Sequence, residues 1–343
     1  MKLKVIFKNT LLALVAAALG AASCDKQIYD YEGDCTPYNG VKLMYDYNML
    51  YTDAAATQVT SAKVLVYGQD GALVKEIDAT DQQLKDGEYF VRTDVAPGKY
   101  TIVAWCGLDE APKTWTLAGK ETLTPMTVTM GTTGGKVKEI APMFHGISKV
   151  TFPDKEGLSE AEVHLVKDFN DVKIVMQHLS GEDVDVSKFT YAITADNSVY
   201  AYDNTPILKG DVTYEPFLTK QASAESAEIP EDSGTGKTSV KAGAATNNVA
   251  LAEFTIGRLM ANAKVKQRLT IWNDEGGKVL SIPLVDYLLL VKGYYNQSMS
   301  DQEYLDRQDD FSLTFFLDKN DTWVTSSIII NSWKVVLNDA DLG

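Results

Sequence analysis

The sequence predicts an all-β protein, two antiparallel β-sandwich domains with two short helices in the second. Short runs of alternating apolar and polar residues recur along the chain, and Gly, Pro and Asp turns separate them at close spacing. No long amphipathic helix stands among the runs of the first half, as the crossovers of a parallel α/β sheet would require.

Residues 1–23 have the layout of a secretory signal peptide: Lys2, Lys4 and Lys8, a short apolar run from Leu11 to Leu19, then Gly20, Ala21, Ala22 and Ser23. The run is too short to cross a hydrocarbon core of roughly 30 Å. Ala21-Ala22-Ser23-Cys24 resembles the lipobox of bacterial lipoproteins, in which the cysteine is acylated and becomes the new N-terminus. Cys24 is the expected lipidation site, and plain secretion with a free Cys24 is the alternative. Residues 24–40, polar, acidic and broken by Gly33 and Pro37, read as a lipidated tether.

The first sandwich is expected over residues 41–145. Val59 to Tyr67 and Ala72 to Ile77 read as strands joined by the Gln69-Asp70-Gly71 turn. Glu88 to Val91 follows, then the Pro97-Gly98 turn, Lys99 to Trp105, and Met126 to Met130. Punctuation at Thr132–Gly135 and Pro142–Gly146 places the boundary near His145, and Ile147 to Phe152 opens the second pattern.

The second sandwich is expected over residues 146–343. Val163–Val166, Val172–Gln177, Phe189–Thr194, Leu251–Ile256, Val265–Trp272 and Lys278–Ile282 read as its strands, with Asn273–Gly277 as a hairpin loop. Residues 220–248, rich in Ser, Ala, Gly and Thr, cannot offset the entropy of ordering and read as a flexible loop. After Pro283 the period changes. Leu284, Leu288 and Val291 share a helical face, and Ser300 with Glu303 forms a capping box before a second short helix. Phe311–Leu317 and Ile328–Leu337 return to strand chemistry.

Composition narrows the function. The 343 residues have room for two ordinary domains. The formal charge is −15, or −18 once Lys2, Lys4 and Lys8 leave with the signal, which excludes nucleic acid as an expected partner. Beyond Cys24 only Cys35 and Cys106 remain, too few for a zinc ribbon. They form either one disulfide or two buried free thiols. His145, His164 and His178 lack metal-ligand spacing, and Ser233–Thr238 contains Gly-Lys-Thr but has Glu231 where a phosphate loop needs glycine. Asp318, Asn320 and Asp321 read as turn residues, and Trp105, Trp272 and Trp333 fall inside strand patterns that give them to the core. No catalytic residue, cofactor site or metal site is expected, and the chain is not read as an enzyme.

Three stretches carry a family resemblance. Cys24-Asp25 is followed by Ile28-Tyr29, the acidic residues 31–35, and Val41–Met49 ending in Tyr45-Asp46-Tyr47-Asn48-Met49. Pro97-Gly98-Lys99-Tyr100 runs into Ala104-Trp105. Near the end stand Tyr304-Leu305-Asp306-Arg307, Phe311–Asp318 and Ile329-Ile330-Asn331-Ser332-Trp333. In this order they resemble the FimB-like fimbrillin-associated anchor subunits of Bacteroidales (type V) fimbriae. Two departures are Cys106 and Ser332, where the family more often has glycine.

The resemblance implies two transthyretin-like sandwiches in a lipoprotein of the outer membrane, exposed at the cell surface. It implies a subunit that attaches the base of a fimbrial shaft, with shaft or accessory subunits as partners joined through β-strand addition. A surface glycan-binding lipoprotein or a fimbrial tip adhesin is the alternative. Shaft subunits of such fimbriae, as the resemblance implies, lose an N-terminal segment to an Arg-specific protease. This chain has no arginine before Arg92, and its tether holds Lys26 alone as a basic residue, so the mature protein is expected to keep lipidated Cys24.

Overall fold

The computed structural model describes residues 38–225, 246–262, 264–295 and 297–337. The chain opens with β1 (Tyr38–Met44), α1 (Ala55–Gln58), β2 (Ser61–Tyr67), β3 (Leu73–Thr80), α2 (Asp81–Asp86), β4 (Phe90–Arg92) and β5 (Gly98–Cys106). β6 (Trp115–Ala118), β7 (Thr127–Met130), β8 (Lys136–Val137), β9 (Phe144–Phe152), β10 (Leu158–Lys167) and β11 (Phe169–His178) follow. Next come β12 (Phe189–Ala195), β13 (Val199–Ala201), β14 (Val212–Tyr214), β15 (Leu218–Glu225), β16 (Thr246–Gly257), β17 (Arg268–Asn273) and β18 (Lys278–Pro283). The chain closes with α3 (Leu284–Leu289), α4 (Lys292–Tyr295), α5 (Asp301–Arg307), β19 (Asp310–Leu317), β20 (Trp323–Ile330) and β21 (Trp333–Val336). The fold is all-β, and its helices are single turns or little more.

Four sheets result. The first has seven strands in the order β3-β2-β5-β9-β10-β1-β4, and the second has six, β15-β16-β11-β19-β20-β21. The third is β18-β17-β12-β14-β8 and the fourth β13-β7-β6. β2 and β5 read as nearly continuous apolar runs because the first sheet is covered on both faces. Val64, Val66, Ile102 and Ala104 point into a core shared with Ala55, Val59, Leu84 and Tyr89. Leu65, Tyr67, Val103 and Trp105 point the other way, into a larger core with Val128, Ile174, Tyr191, Phe254 and Phe315. The first sheet also curls: Lys75 on β3 donates to the Thr93 carbonyl just past β4, so one side chain bridges the sheet's two edges.

Several expectations are corrected. The first sheet extends past His145, because β9 pairs with β5 and β10 pairs with both β9 and β1. Pairing partners, not local punctuation, set that limit. Residues 220–225 and 246–248, expected in a flexible loop, form the hairpin of β15 with β16; its backbone bonds need no large side chains, and Gln221 adds a bond to the Val249 carbonyl. Residues 226–245 lie outside the described residues. Not every pairing is antiparallel: β1 with β10, β11 with β19 and β8 with β14 are parallel. Among the described residues the stretch after Pro283 holds three short helices, where two were expected. The expected capping box is half formed, since Ser300 accepts from the Glu303 amide while the Glu303 carboxylate pairs with Arg307 at 2.8 Å. Residues 265–267 precede β17 as loop.

Candidate functional site

β10 ends at Lys167 and β11 begins at Phe169, so Asp168 alone links the two largest sheets. Lys167, Asp168 and Asn170 are all at most 2% exposed. Burying such groups is costly unless they find partners, and their side-chain partners come from later in the chain. Lys167 donates to the Gln308 carbonyl and lies 3.2 Å from the Asp309 carboxylate. Burial lowers its pKa, and Asp309 pulls it back. Asn170 accepts from the Leu259 amide at 3.1 Å and donates to the carbonyls of Leu305 and Gln308. Tyr45, fully buried, reaches Asp309 through its hydroxyl.

α5 is the other side of this junction. Arg258, just past β16, makes a bidentate pair with Asp306, both bonds 2.7 Å, with the aspartate 3% exposed. Burial alone would lower the Arg258 pKa, but Asp306 outweighs it and holds the guanidinium charged. Gln302 joins the pair, donating to Asp306 at 2.9 Å and accepting from the Ala261 amide. Arg307 points back to the first half. Its Nη1 donates to the carbonyls of Asp46 and Asn48, and its guanidinium lies 4.0 Å from the Tyr47 ring and 4.3 Å from the Tyr51 ring. Tyr45–Asn48 and Tyr304–Arg307, the two stretches far apart in sequence that carry the resemblance, therefore meet in space. Beside them a cleft of about 390 Å³ opens between Met49, Tyr51, Tyr295, Met299, Asp309 and Asp310.

The remaining sequence candidates fall elsewhere. Cys24 and Cys35 lie outside the described residues, as does Ser233–Thr238. Cys106 is fully buried as a free thiol, and burial pushes its pKa up to about 12. His145 packs at a tilt against Trp105, with ring centroids 4.4 Å apart, and bonds the Tyr202 carbonyl; burial lowers its pKa to about 4. His164 is exposed and bonds Asp46 at 2.9 Å, which raises its pKa. His178 lies 3.1 Å from Asp321. The three histidines do not converge, and no group of metal-ligating side chains occurs among the described residues. Asp318 caps its own turn, accepting from the amides of Asn320 and Thr322. Trp105 is core, while Trp333 is half-buried and stacks on the exposed Tyr294 at 4.2 Å. Sequence reasoning missed Arg258, Lys167 and Asp168. The available signal was charge beside strand patterns that allow no solvent on either face.

A β scaffold whose two halves are tied together by Lys167 and Arg307 is the class these features define. The match to protein families makes it specific: the chain belongs to the fimbrillin-A associated anchor proteins Mfa1 and Mfa2, whose family model matches residues 31–339. It is thus a fimbria-associated protein of the cell surface, in a family of structural proteins and not of enzymes. Among solved structures it is similar to a candidate adhesin of Bacteroides thetaiotaomicron, at 32% identity and TM-score 0.78 over 88% of this chain and 98% of that one. The fimbrial anchor protein Mfa2 of Porphyromonas gingivalis shares the fold, at 15% identity and TM-score 0.62 over 88% of this chain and 99% of that one. No curated protein sequence matches significantly. Among the described residues no helix is long and apolar enough to cross a membrane.

Proposed function

We propose that the protein anchors a fimbrial shaft at the outer membrane, tethered through acylated Cys24 and joined to a shaft or accessory subunit by β-strand addition. One observation supports it above the others: β1 fills an inner position of the first sheet, between β10 and β4. A subunit processed by an Arg-specific protease beyond β1 would vacate that position. Here the first arginine, Arg92, is itself the last residue of β4 and pairs with Gly40 of β1. Strand β1 and the tether before it therefore stay joined to the body. A single acyl chain binds membranes with only about 10⁴ M⁻¹, so the tether needs the several chains a fully processed lipoprotein cysteine carries. On the same reading the first sandwich takes β1–β5, β9 and β10, while β6–β8 join sheets with strands of the second half.

Membrane fractionation of Cys24→Ala tests the tether. The variant is expected in the soluble fraction, with fimbriae shed into the medium. Quantitative retention in the membrane pellet would overturn it. Mass analysis of the N-terminus in assembled fimbriae complements this, since a form starting inside the first sheet would mark a processed shaft or tip subunit.

A further inference from the structure

We infer that β1 and β10 form a mechanical clamp, a parallel strand pair that tension on the N-terminal tether loads in shear. The inference takes the direction of load from the anchoring role proposed above. All else comes from topology.

β1 runs parallel to β10 in unbroken register from Tyr38 opposite Leu158 to Met44 opposite His164. Both strands lead into contacts with the second half at their C-terminal ends. β10 passes through Asp168 directly into β11, an inner strand of the six-stranded sheet. β1 passes into Tyr45–Asn48, which Arg307 and Asp309 hold against α5. The tether leaves from the opposite end, at Tyr38. Tension between the tether and the second half therefore acts along the strand axis. The evenly spaced bonds of a parallel ladder then lie across the force and must fail together. A pull on two neighbouring strands from the same end would open those bonds one after another.

The loaded end is reinforced. Asn39, 8% exposed, accepts from the Thr93 hydroxyl at 2.6 Å and the Val95 amide, and donates to the Val95 carbonyl at 2.7 Å. Arg92 covers the Tyr38 ring at 4.8 Å. On the far side β4 pairs with residues 40–42, so closely that a Cβ on Gly40 would stand 2.4 Å from the Phe90 ring. The strand that receives the tether is thus held on both sides.

Single-molecule force spectroscopy on the mature chain tests this, with one handle at the N-terminus, Cys24→Ser and Cys35→Ser so that the introduced cysteine is the one reactive thiol, and buried Cys106 kept. Asp310→Cys places the second handle beside Asp309, at the C-terminal end of β10, and gives the shear geometry. Glu156→Cys places it in the exposed loop before β10, next to Tyr38, and gives the peeling geometry. Rupture force is expected to be at least about twofold higher in the first geometry at equal loading rate, because a whole parallel ladder replaces single bonds. The first length increment in that geometry should correspond to release of β1. Equal forces, or a first increment from the six-stranded sheet, would overturn the clamp. Forced unfolding reports the barrier of the folded body and is independent of lipidation, so loss of the Cys24 tether and loss of the clamp are separate results.

Discussion

Replacing Arg258 by Met tests whether the junction is held by paired charge. The guanidinium makes two 2.7 Å bonds to Asp306, which is 3% exposed and keeps Gln302 as its other side-chain partner. Removing one member of such a pair leaves the other charge buried, which costs about 3–5 kcal/mol. At roughly 2 °C per kcal/mol for a body of this size, Tm should fall by about 6–10 °C. Replacing both members, Arg258→Met with Asp306→Leu, removes the stranded charge and should restore more than half of that loss. Gln302 still has the Leu259 carbonyl as an acceptor in the double variant. Thermal and urea unfolding of the three variants at neutral pH measure the cycle. A single-variant loss below about 1 kcal/mol, the value of an exposed pair, would refute the reasoning, as would a double variant that loses the sum of the singles.

Asp168, fully buried with one oxygen bonded to Asn204, has its pKa raised from 3.8 to about 7, first by burial. The folded state then holds a proton that the unfolded state has released, so this group's contribution falls as pH rises from about 4 to 7. His145 acts in the opposite sense between its ordinary 6.5 and about 4, where acid costs stability. Asp168→Asn should therefore gain stability relative to the wild type at pH 8 and not at pH 4, read from Tm at both; an equal difference at both pH values would contradict it. Ser332 stands at φ +70, a left-handed conformation that suits glycine. Ser332→Gly should gain about 0.5–1 kcal/mol in thermal unfolding, and a loss would show that the serine has a compensating contact. Cys106 should remain an unbridged thiol that alkylates only after unfolding. Tyr38 aligns with Leu158 and Cys106 with Phe144, which aligns with Lys167, so the strand rise between them is roughly 30 Å, whereas the chain from Cys35 to Tyr38 reaches about 11 Å. An intact mass showing a native Cys35–Cys106 bridge would contradict that topology.

Strands whose side chains alternate, or whose turns need special residues, were readable from the chain alone. β2, β5, β7, β19 and the Asn273–Gly277 loop could be read locally, because a strand's period and a turn's glycine are properties of neighbours in the chain. α3 was legible in the spacing of Leu284 and Leu288, both buried, and Val291 lies buried just past its end. The family was legible too, in Tyr45–Asn48 and Tyr304–Arg307, though not the reason those stretches matter. That β9 and β10 join the first sheet, that β1 lies parallel to β10 and that Ala222–Glu225 belong to an edge strand emerged with the fold. Pairing is a contact between distant segments, and a run of Ala and Ser carries no periodic sign of its partner. The same holds for Arg258, Lys167 and Asp168. A charged residue in sequence looks solvated, and only folding shows that Asp306, Asp309 and Asn204 arrive from elsewhere to meet Arg258, Lys167 and Asp168.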